Sequence, residues 1–284
     1  PQYLPNSIKR IEANIPTNTL FVLPYGANTS DLFVYSYYWE GDQKVQSSWG
    51  KWIFPGREIL GVTLVDNWLY IISKDSTGSL LIEKMNLEQR ATSEPLDYRI
   101  HLDLLVKLKG VYDSSLDVTR WTLPYSIASK DFRIVDSTTG LEFNTPSREG
   151  HYNVLVSGDH SAVWCFVGVP YVFRYRFSQW YLRDDYGVAI IEGRLQIRNL
   201  KLSYVDTGYF KVRVLNGKRE NSAEYTGATI GPGLRLGKQN ITTGEKRFYI
   251  GGSAETVVIE IVSDSYMPSR FQVASYEGYY TRRI

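Results

Sequence analysis

Cysteine, histidine and long apolar runs are scarce in this 284-residue sequence, and each scarcity excludes a class of protein. The single cysteine, Cys165, rules out an internal disulfide framework, and its neighbours Trp164 and Phe166 predict a buried, inert thiol. No apolar run approaches the ~18 residues of a membrane-spanning helix. The N-terminus lacks the charged-then-apolar pattern of a signal peptide, and its start at Pro1 without a methionine suggests a processed product or a piece of a longer chain.

The sequence holds only three histidines, and none has the spacing of a metal-ligand pair. His151 and His160 could meet Asp159 across a hairpin and hold a metal ion, but no third or fourth ligand is evident. Loop histidines beside a residue such as Gly158 are usually solvated turn residues. The remaining one, His101, lies on the polar side of an alternating segment. We therefore predict no metal ion and no cofactor.

Three short motifs resemble catalytic or phosphate-binding signatures only in part. Asp184 and Asp185 are neighbours in a predicted turn, whereas glycoside hydrolysis needs two acids that face each other across ~5 to 9 Å. Ser157 lacks a Gly-x-Ser-x-Gly context. The segment Gly231-Pro232-Gly233 carries a proline in a strand-rich region, which disfavours phosphate binding. The sequence accordingly predicts a protein that is not an enzyme.

Aromatic residues are abundant, with 22 Tyr, 11 Phe and 7 Trp, and many recur with the two-residue period of strands. Between Thr19 and Met85, short runs separated by turn signals predict one antiparallel sheet of the propeller-blade type. Asp66-Asn67 predicts a two-residue hairpin loop within it. Apolar residues at every second position from 100 to 108 predict a strand that ends at Gly110.

The last third of the sequence predicts strands with two distinct faces. The segment 171 to 177 places an aromatic stripe opposite Arg174 and Arg176. From 195 to 204 the apolar side chains change phase, which predicts a β-bulge or a bend near Arg198-Asn199. No amphipathic helix longer than two turns is evident. Apolar residues that complete a sandwich-like set lie at 210–214, 248–250, 257–261 and 271–273.

These patterns predict an all-β fold with partial β-propeller-like blades followed by an antiparallel β-sandwich-like or barrel-like domain. The predicted segments are a blade region at 1–95, a loosely patterned β region at 96–165 and a sandwich-like domain at 166–284. Net charge is only +2, but residues 1–170 hold 15 basic and 19 acidic side chains, and residues 171–284 hold 17 and 11. This polarity would suit head-to-tail docking, although it is spread over a large surface.

Two groups of side chains are candidates for an interface or a channel lining. Alternating arginines on sheet faces could bind phosphates or acidic partners, although such arginines are more often a solvated face. Tryptophans of the blade could form a sugar platform, and the simpler interpretation is that they belong to its core and interface. The candidates are Arg174, Arg176, Arg194 and Arg198 in the last third and Trp39, Trp49 and Trp52 in the blade.

Several segments also resemble a known family when they are taken together. They read VYSYYWEGDQKVQSSWGKW at 34–52, ILGVTLV at 59–65, VGVPYVFRYRF at 167–177, IEGRLQIRNLKLSY at 191–204 and SYEGYYTRRI at the end. In combination they resemble the tail tubular protein B family, the nozzle proteins of short-tailed, podovirus-type phages. The resemblance covers most of the chain except residues 97–165.

This resemblance implies a structural protein of the virion tail that is assembled in the host cytoplasm. It implies β-propeller and β-sandwich parts and a hexameric ring around the channel for DNA ejection. Members are far longer than this chain, which would correspond to a C-terminal portion. The implied partners are copies of the chain itself, the tail adaptor protein, the tail fibre protein and the viral DNA in transit.

Two rival functions stay open at this point. A carbohydrate-binding module or adhesin would present exposed, coplanar rings of Trp39, Trp49 or Trp52 along a groove. A glycan hydrolase would use Asp184 or Asp185 in a cleft with a second acid.

Overall fold

The computed structural model describes residues 4–26, 29–88, 92–127, 131–227 and 237–282, and every regular element in these ranges is a β-strand. The predicted all-β class is therefore confirmed. The chain divides into two compact units, residues 1–91 and residues 92–284. The division into three segments at 95 and 165 stays a prediction.

The first unit contains two antiparallel sheets with strand orders β1-β2-β3-β4 and β5-β6-β7. The strands are β1 (Ile8–Asn14), β2 (Thr19–Pro24), β3 (Asp31–Glu40), β4 (Gln43–Ile53), β5 (Arg57–Val65), β6 (Trp68–Asp75) and β7 (Leu80–Asn86). One hydrophobic cluster joins the two sheets. Its buried members are Phe21, Leu23, Leu32, Val34, Phe54, Ile59, Val62, Leu69 and Ile71.

The single blade-like sheet predicted between Thr19 and Met85 is wrong, because β4 and β5 belong to different sheets. The chain leaves the first sheet at Pro55, which has no N–H to donate to a ladder. Gly56 then takes a φ of 69°, a conformation that favours glycine. The hairpin loop at Asp66-Asn67 is confirmed, since the flanking residues pair directly across it.

The second unit contains five antiparallel sheets in its described residues, and β18 is its longest strand there. Their strand orders are β12-β13-β10-β9, β11-β14-β8, β15-β22-β19-β20, β16-β17 and β21-β18-β23. The strands are β8 (Asp103–Lys109), β9 (Val111–Asp113), β10 (Val118–Thr122), β11 (Arg133–Asp136), β12 (Ser147–Glu149), β13 (Asn153–Ser157), β14 (Trp164–Val169), β15 (Phe173–Arg176), β16 (Leu182–Arg183), β17 (Ala189–Ile190), β18 (Arg194–Thr207), β19 (Phe210–Asn216), β20 (Arg219–Tyr225), β21 (Thr242–Ser253), β22 (Val257–Ser263) and β23 (Arg270–Thr281).

The bulge predicted near Arg198-Asn199 is confirmed. The pairing of β18 with both of its neighbours shifts register between Ile197 and Asn199. The extra residue lets the side chains before and after the bulge face one core, although their sequence phases differ. That core joins the β21-β18-β23 sheet to the β15-β22-β19-β20 sheet. Its members include Leu195, Ile197, Leu200, Leu202, Tyr204, Phe210, Val212, Val214, Phe248, Ile250, Ile259 and Ile261.

The strand predicted at 100–108 ends as expected, but its simple alternation is wrong at Leu104. Leu104 takes a φ of 52°, and the pairing of β8 with β14 shifts register at Gly168. After this irregularity it is Leu105 that packs against the neighbouring core cluster. A Cβ atom added at Gly168 would lie 2.8 Å from the Leu102 Cβ atom and 2.9 Å from the Asp103 carbonyl oxygen. The close approach of β14 to the start of β8 therefore requires glycine.

Candidate interaction surfaces

The β3–β4 hairpin extends beyond the core of the first unit. Strand β4 is the edge of its sheet, and all of its residues except Trp52 are exposed. Around the tip, Tyr38, Trp39 and Val45 are 53%, 52% and 56% exposed. Both faces of this part of the hairpin are therefore open within the described residues.

The three candidate tryptophans do not share one surface. The Trp52 ring packs 5.4 Å from the Phe21 ring, on the core side of the sheet. Trp49 lies three residues earlier and hence on the opposite face, where its ring is 4.8 Å from the Tyr35 ring. Trp39 lies near the tip of the hairpin, just after the pairing of β3 with β4 shifts register between Tyr38 and Trp39. These rings consequently do not form the coplanar platform expected of a sugar-binding tryptophan cluster.

A groove of about 490 Å³ lies on the Trp52 side of the hairpin. Its polar lining includes Ser36, Ser48 and Gln46, and none of its lining residues is charged. A groove without cations has no electrostatic attraction for phosphate groups or nucleic acid.

The outer face of the β5-β6-β7 sheet carries a further surface that sequence reasoning missed. Its apolar side chains are exposed, and they alternate with buried residues on β6 and with half-buried residues on β7. The alternation was visible in the sequence, but it cannot tell which face of a sheet is covered. We call these residues the outer patch: Val65, Trp68, Ile72, Leu80 and Ile82.

The aromatic stripe at 171–177 is exposed over most of its length. Every residue of β15 is exposed, including Phe173 and Tyr175 at 39% and 50%. Strand β15 is the edge of its sheet, so it lacks a neighbour on one side in the described residues. Only Phe177, just after the strand, packs against the core cluster.

The four candidate arginines fall into two pairs on two different sheets. Arg174 and Arg176 lie on β15, opposite Val262 and Glu260 of β22. Arg194 and Arg198 lie on β18, and the Arg198 guanidinium donates a hydrogen bond to the Tyr279 hydroxyl at 3.1 Å. The structure therefore does not bring the four together into one basic site.

Acidic groups accompany the basic ones on both of these sheets. Glu260, which is 7% exposed, accepts a hydrogen bond from Arg213 at 3.3 Å. On the β21-β18-β23 sheet, Arg247 pairs with Glu277 at 3.1 Å. Such mixed faces lack the single-sign field that would hold a polyanion tightly.

The histidines show no convergence in the described residues, where no group of three or more potential metal ligands occurs. The His160 ring nitrogen Nε2 lies 3.0 Å from the Ser157 carbonyl oxygen, and its ring packs 4.5 Å from Phe143. The Ser161 hydroxyl and backbone amide both donate to Asp159 and lower the pKa of its carboxyl group. These contacts are those of a turn.

His101 occupies a different environment. Its Nδ1 atom is 3.2 Å from the Tyr171 hydroxyl oxygen. Burial, and then the positive charges of Arg99 and Arg270, lower the pKa of His101 to about 4. The imidazole is therefore neutral at physiological pH and is held as a packing residue.

The acidic motif at 184–185 forms the predicted turn. The Asp184 carboxylate accepts hydrogen bonds from the backbone amides of Tyr186 at 3.0 Å and Val188 at 2.8 Å, which closes the β16–β17 hairpin.

A second cavity, of about 310 Å³, is lined by Glu142 and Asp264. Their carboxylates are paired with Arg133 at 2.9 Å and with Lys211 at 2.8 Å. Both carboxylates are thus held by a basic side chain, and they do not face each other as a free acid pair.

The remaining predictions concern small features. Cys165 is fully buried, which confirms the predicted burial, and this burial raises the pKa of its thiol to about 12 and so disfavours the reactive thiolate. The segment Gly231-Pro232-Gly233 lies outside the described residues. The described residues contain no helix that is long and apolar enough to cross a membrane.

Comparison with known proteins agrees with the resemblance seen in the sequence. The family described as bacteriophage nozzle protein matches residues 1–284. The tail tubular protein gp12 of Escherichia phage T7 is 25% identical over 301 aligned residues, which cover 100% of this chain and 38% of the relative. The chain thus spans well under half the length of this curated relative. The match over its whole length shows that the chain belongs to the bacteriophage nozzle protein family and is a structural component of a phage tail.

Proposed function

We propose that this chain is part of a tail nozzle subunit whose copies form a hexameric ring around the channel for DNA ejection. The observation that carries the proposal is the family match over residues 1–284. The name of the T7 relative, a tail tubular protein, fits a tube wall. In this role the chain would act through shape and subunit contacts, without a catalytic step or a cofactor.

The physical properties of the sheets support this role. Sheets joined through close-packed clusters are stiff, which suits a wall that must keep its bore open. Faces on which arginines lie beside carboxylates of neighbouring strands would let DNA pass without strong binding, because bound phosphates are held by uncompensated positive charge. We assign Arg174, Arg176, Arg194 and Arg198 as candidate channel or interface residues on this ground.

The aromatic surfaces support contacts with other subunits. Tyr, Trp and Phe are enriched at the centres of protein interfaces. The exposed β3–β4 tip and the exposed edge strand β15 offer such residues on two separate parts of the chain. Docking to the tail adaptor protein and to the tail fibre protein belongs to this proposal, as do the propeller-like and sandwich-like arrangements of the sheets.

Electron microscopy of tails that carry a small tag on this chain tests the proposal. The expected result is a ring of tagged copies around the tail channel. A tag on a fibre tip, or a protein that is absent from purified tails, would contradict it.

A matched charge experiment tests the role of the arginines. Replacing Arg174 and Arg176 by glutamine in the phage should change the rate of DNA ejection without preventing tail assembly if they line the channel. Loss of assembled tails would instead place these two residues in a subunit interface.

A further inference from the structure

The outer patch groups five exposed apolar side chains on one side of a three-stranded sheet, with the half-buried Tyr70 and the exposed Lys84 paired between its two ends. Ile82 pairs directly with Ile72, and Val65 pairs directly with Trp68, so their side chains project from the same face. Ile82, Leu80 and Val65 are 77%, 66% and 53% exposed. Single exposed apolar residues are ordinary, but adjacent ones mark an interaction surface.

The charges at the outer patch are few and mainly positive. The Lys84 ammonium group lies 4.8 Å from the centre of the Trp68 ring. Lys74 lies at the margin, directly opposite Glu58 in the sheet. Lys84 thus stands within the patch, and a partner that covers the patch must tolerate or neutralise its charge.

The β3–β4 tip has the complementary chemistry. It presents exposed Tyr38, Trp39 and Val45 beside the carboxylates of Glu40 and Asp42. The tip also carries Lys44, so its charged residues sum to −1 from two acids and one base. Apolar side chains can therefore pack on the outer patch while a carboxylate approaches Lys84.

We propose that the β3–β4 tip of one copy of this chain packs on the outer patch of a second copy. The inference names a contact within the proposed ring and in that sense rests on the proposed function. The two contacting surfaces differ, so each copy can donate its tip to one neighbour and offer its patch to another. Such head-to-tail contacts build a closed ring when the rotation that relates one copy to the next brings the last copy into contact with the first.

Other occupants fit the patch less well. DNA would gain little from an apolar surface with so few cations. A sugar would need several hydrogen-bonding groups, whereas the patch offers aliphatic side chains and one indole. A face-to-face contact between two outer patches would place Lys84 beside its own copy, which costs energy through like-charge repulsion.

Site-specific cross-linking of the 284-residue chain tests the contact directly. Trp39→Cys and Ile82→Cys variants are prepared separately, mixed and treated with a short bismaleimide. The native Cys165 gives little background because it is fully buried. We expect a covalent heterodimer between positions 39 and 82 and no homodimer of either variant alone. A homodimer through position 82, or the absence of a 39–82 product at high protein concentration, overturns the proposal.

Sedimentation of charge variants provides a second readout. Lys84→Glu should weaken self-association about tenfold, and mixing it with Asp42→Lys should restore association by exchanging the two charges. Ile82→Lys should abolish association, whereas Ile191→Lys, at a residue that is 80% exposed outside both surfaces, should leave it unchanged. Equal effects of Ile82→Lys and Ile191→Lys would contradict the contact.

The same reagents separate this inference from the proposed function. A ring in tails of the longer protein without any 39–82 cross-link would leave the nozzle role intact and show that another contact or another segment covers the patch. A specific 39–82 cross-link in a protein that is absent from tails would contradict the nozzle role and leave the contact standing.

Discussion

The β19–β22 pair in the second unit and the β3–β4 hairpin in the first both carry many apolar and aromatic side chains, yet they bury them differently. Val212, Val214 and Ile259 are at most 5% exposed, because the β21-β18-β23 sheet covers them. Tyr38, Trp39 and Val45 are more than half exposed, because the hairpin extends beyond its core. The difference shows that alternation assigns side chains to faces, while a covering sheet decides which face becomes a core. The predictions below test this comparison from the largest expected effect to the smallest.

Phe210→Ala should destabilise the chain by about 3–5 kcal/mol, because it empties a fully buried position where no solvent can enter. The Phe210 ring lies 5.0 Å from the Tyr225 ring and 5.7 Å from the Phe248 ring, so the cavity would lie between the two sheets. Urea unfolding followed by circular dichroism measures the change. A loss below about 1 kcal/mol would show that the two sheets do not share this core.

His101 should make stability depend on pH. Its pKa is about 4 in the folded chain and 6.5 ordinarily, so between these values only the unfolded chain binds the proton. The full contribution of neutral His101 to the free energy of unfolding is present above pH 6.5, and about 3 kcal/mol of it is lost as pH falls to 4. Because carboxylates titrate in the same range, the check is the difference between the native chain and His101→Gln. Parallel pH profiles of the two proteins would refute this assignment.

Gly278→Ala should destabilise the β18 bulge by about 1–2 kcal/mol. An added Cβ at this position would lie 2.3 Å from the Gln196 carbonyl oxygen, so the backbone of β18 or β23 must shift. Gly61→Ala is the matched control, because an added Cβ there has no atom within 4 Å. In thermal unfolding, Gly278→Ala should lower the midpoint temperature, and Gly61→Ala should leave it unchanged. Equal midpoint temperatures for the two variants would contradict the prediction and would mean that β18 and β23 move apart at the bulge at little cost.

Trp39→Ala should change the stability of the isolated chain by no more than about 0.5 kcal/mol. The indole is 52% exposed and lies near the tip, away from the core cluster of the first unit. The same variant should weaken self-association if the tip packs on the outer patch. A large loss of stability in dilute solution would instead place Trp39 in the core.

Local features of the fold were predictable because short-range rules fix them. The hairpin at Asp66-Asn67 follows from turn chemistry, and the bulge near Arg198-Asn199 follows from a change of phase that a regular strand cannot accommodate. The turn at Asp184 follows from a carboxylate that bonds the next backbone amides.

The candidate site was less predictable because it depends on distant pairings. The sequence showed that Arg174 and Arg198 lie on polar faces, but not that β15 and β18 belong to different sheets. It likewise did not show that the β3–β4 hairpin extends past the core of its unit, so that every residue of β4 except Trp52 is exposed.

The sequence by itself determined the all-β class of this protein, many of its strands and turns, and its family, because a two-residue period, local hydrogen bonds and recognisable segments are properties of contiguous residues. Only the tertiary structure decided that the chain changes sheet after β4, that the stripe on β15 is exposed and that the outer patch is left uncovered within the described residues. These outcomes depend on which sheet lies opposite which, and no local pattern encodes that choice.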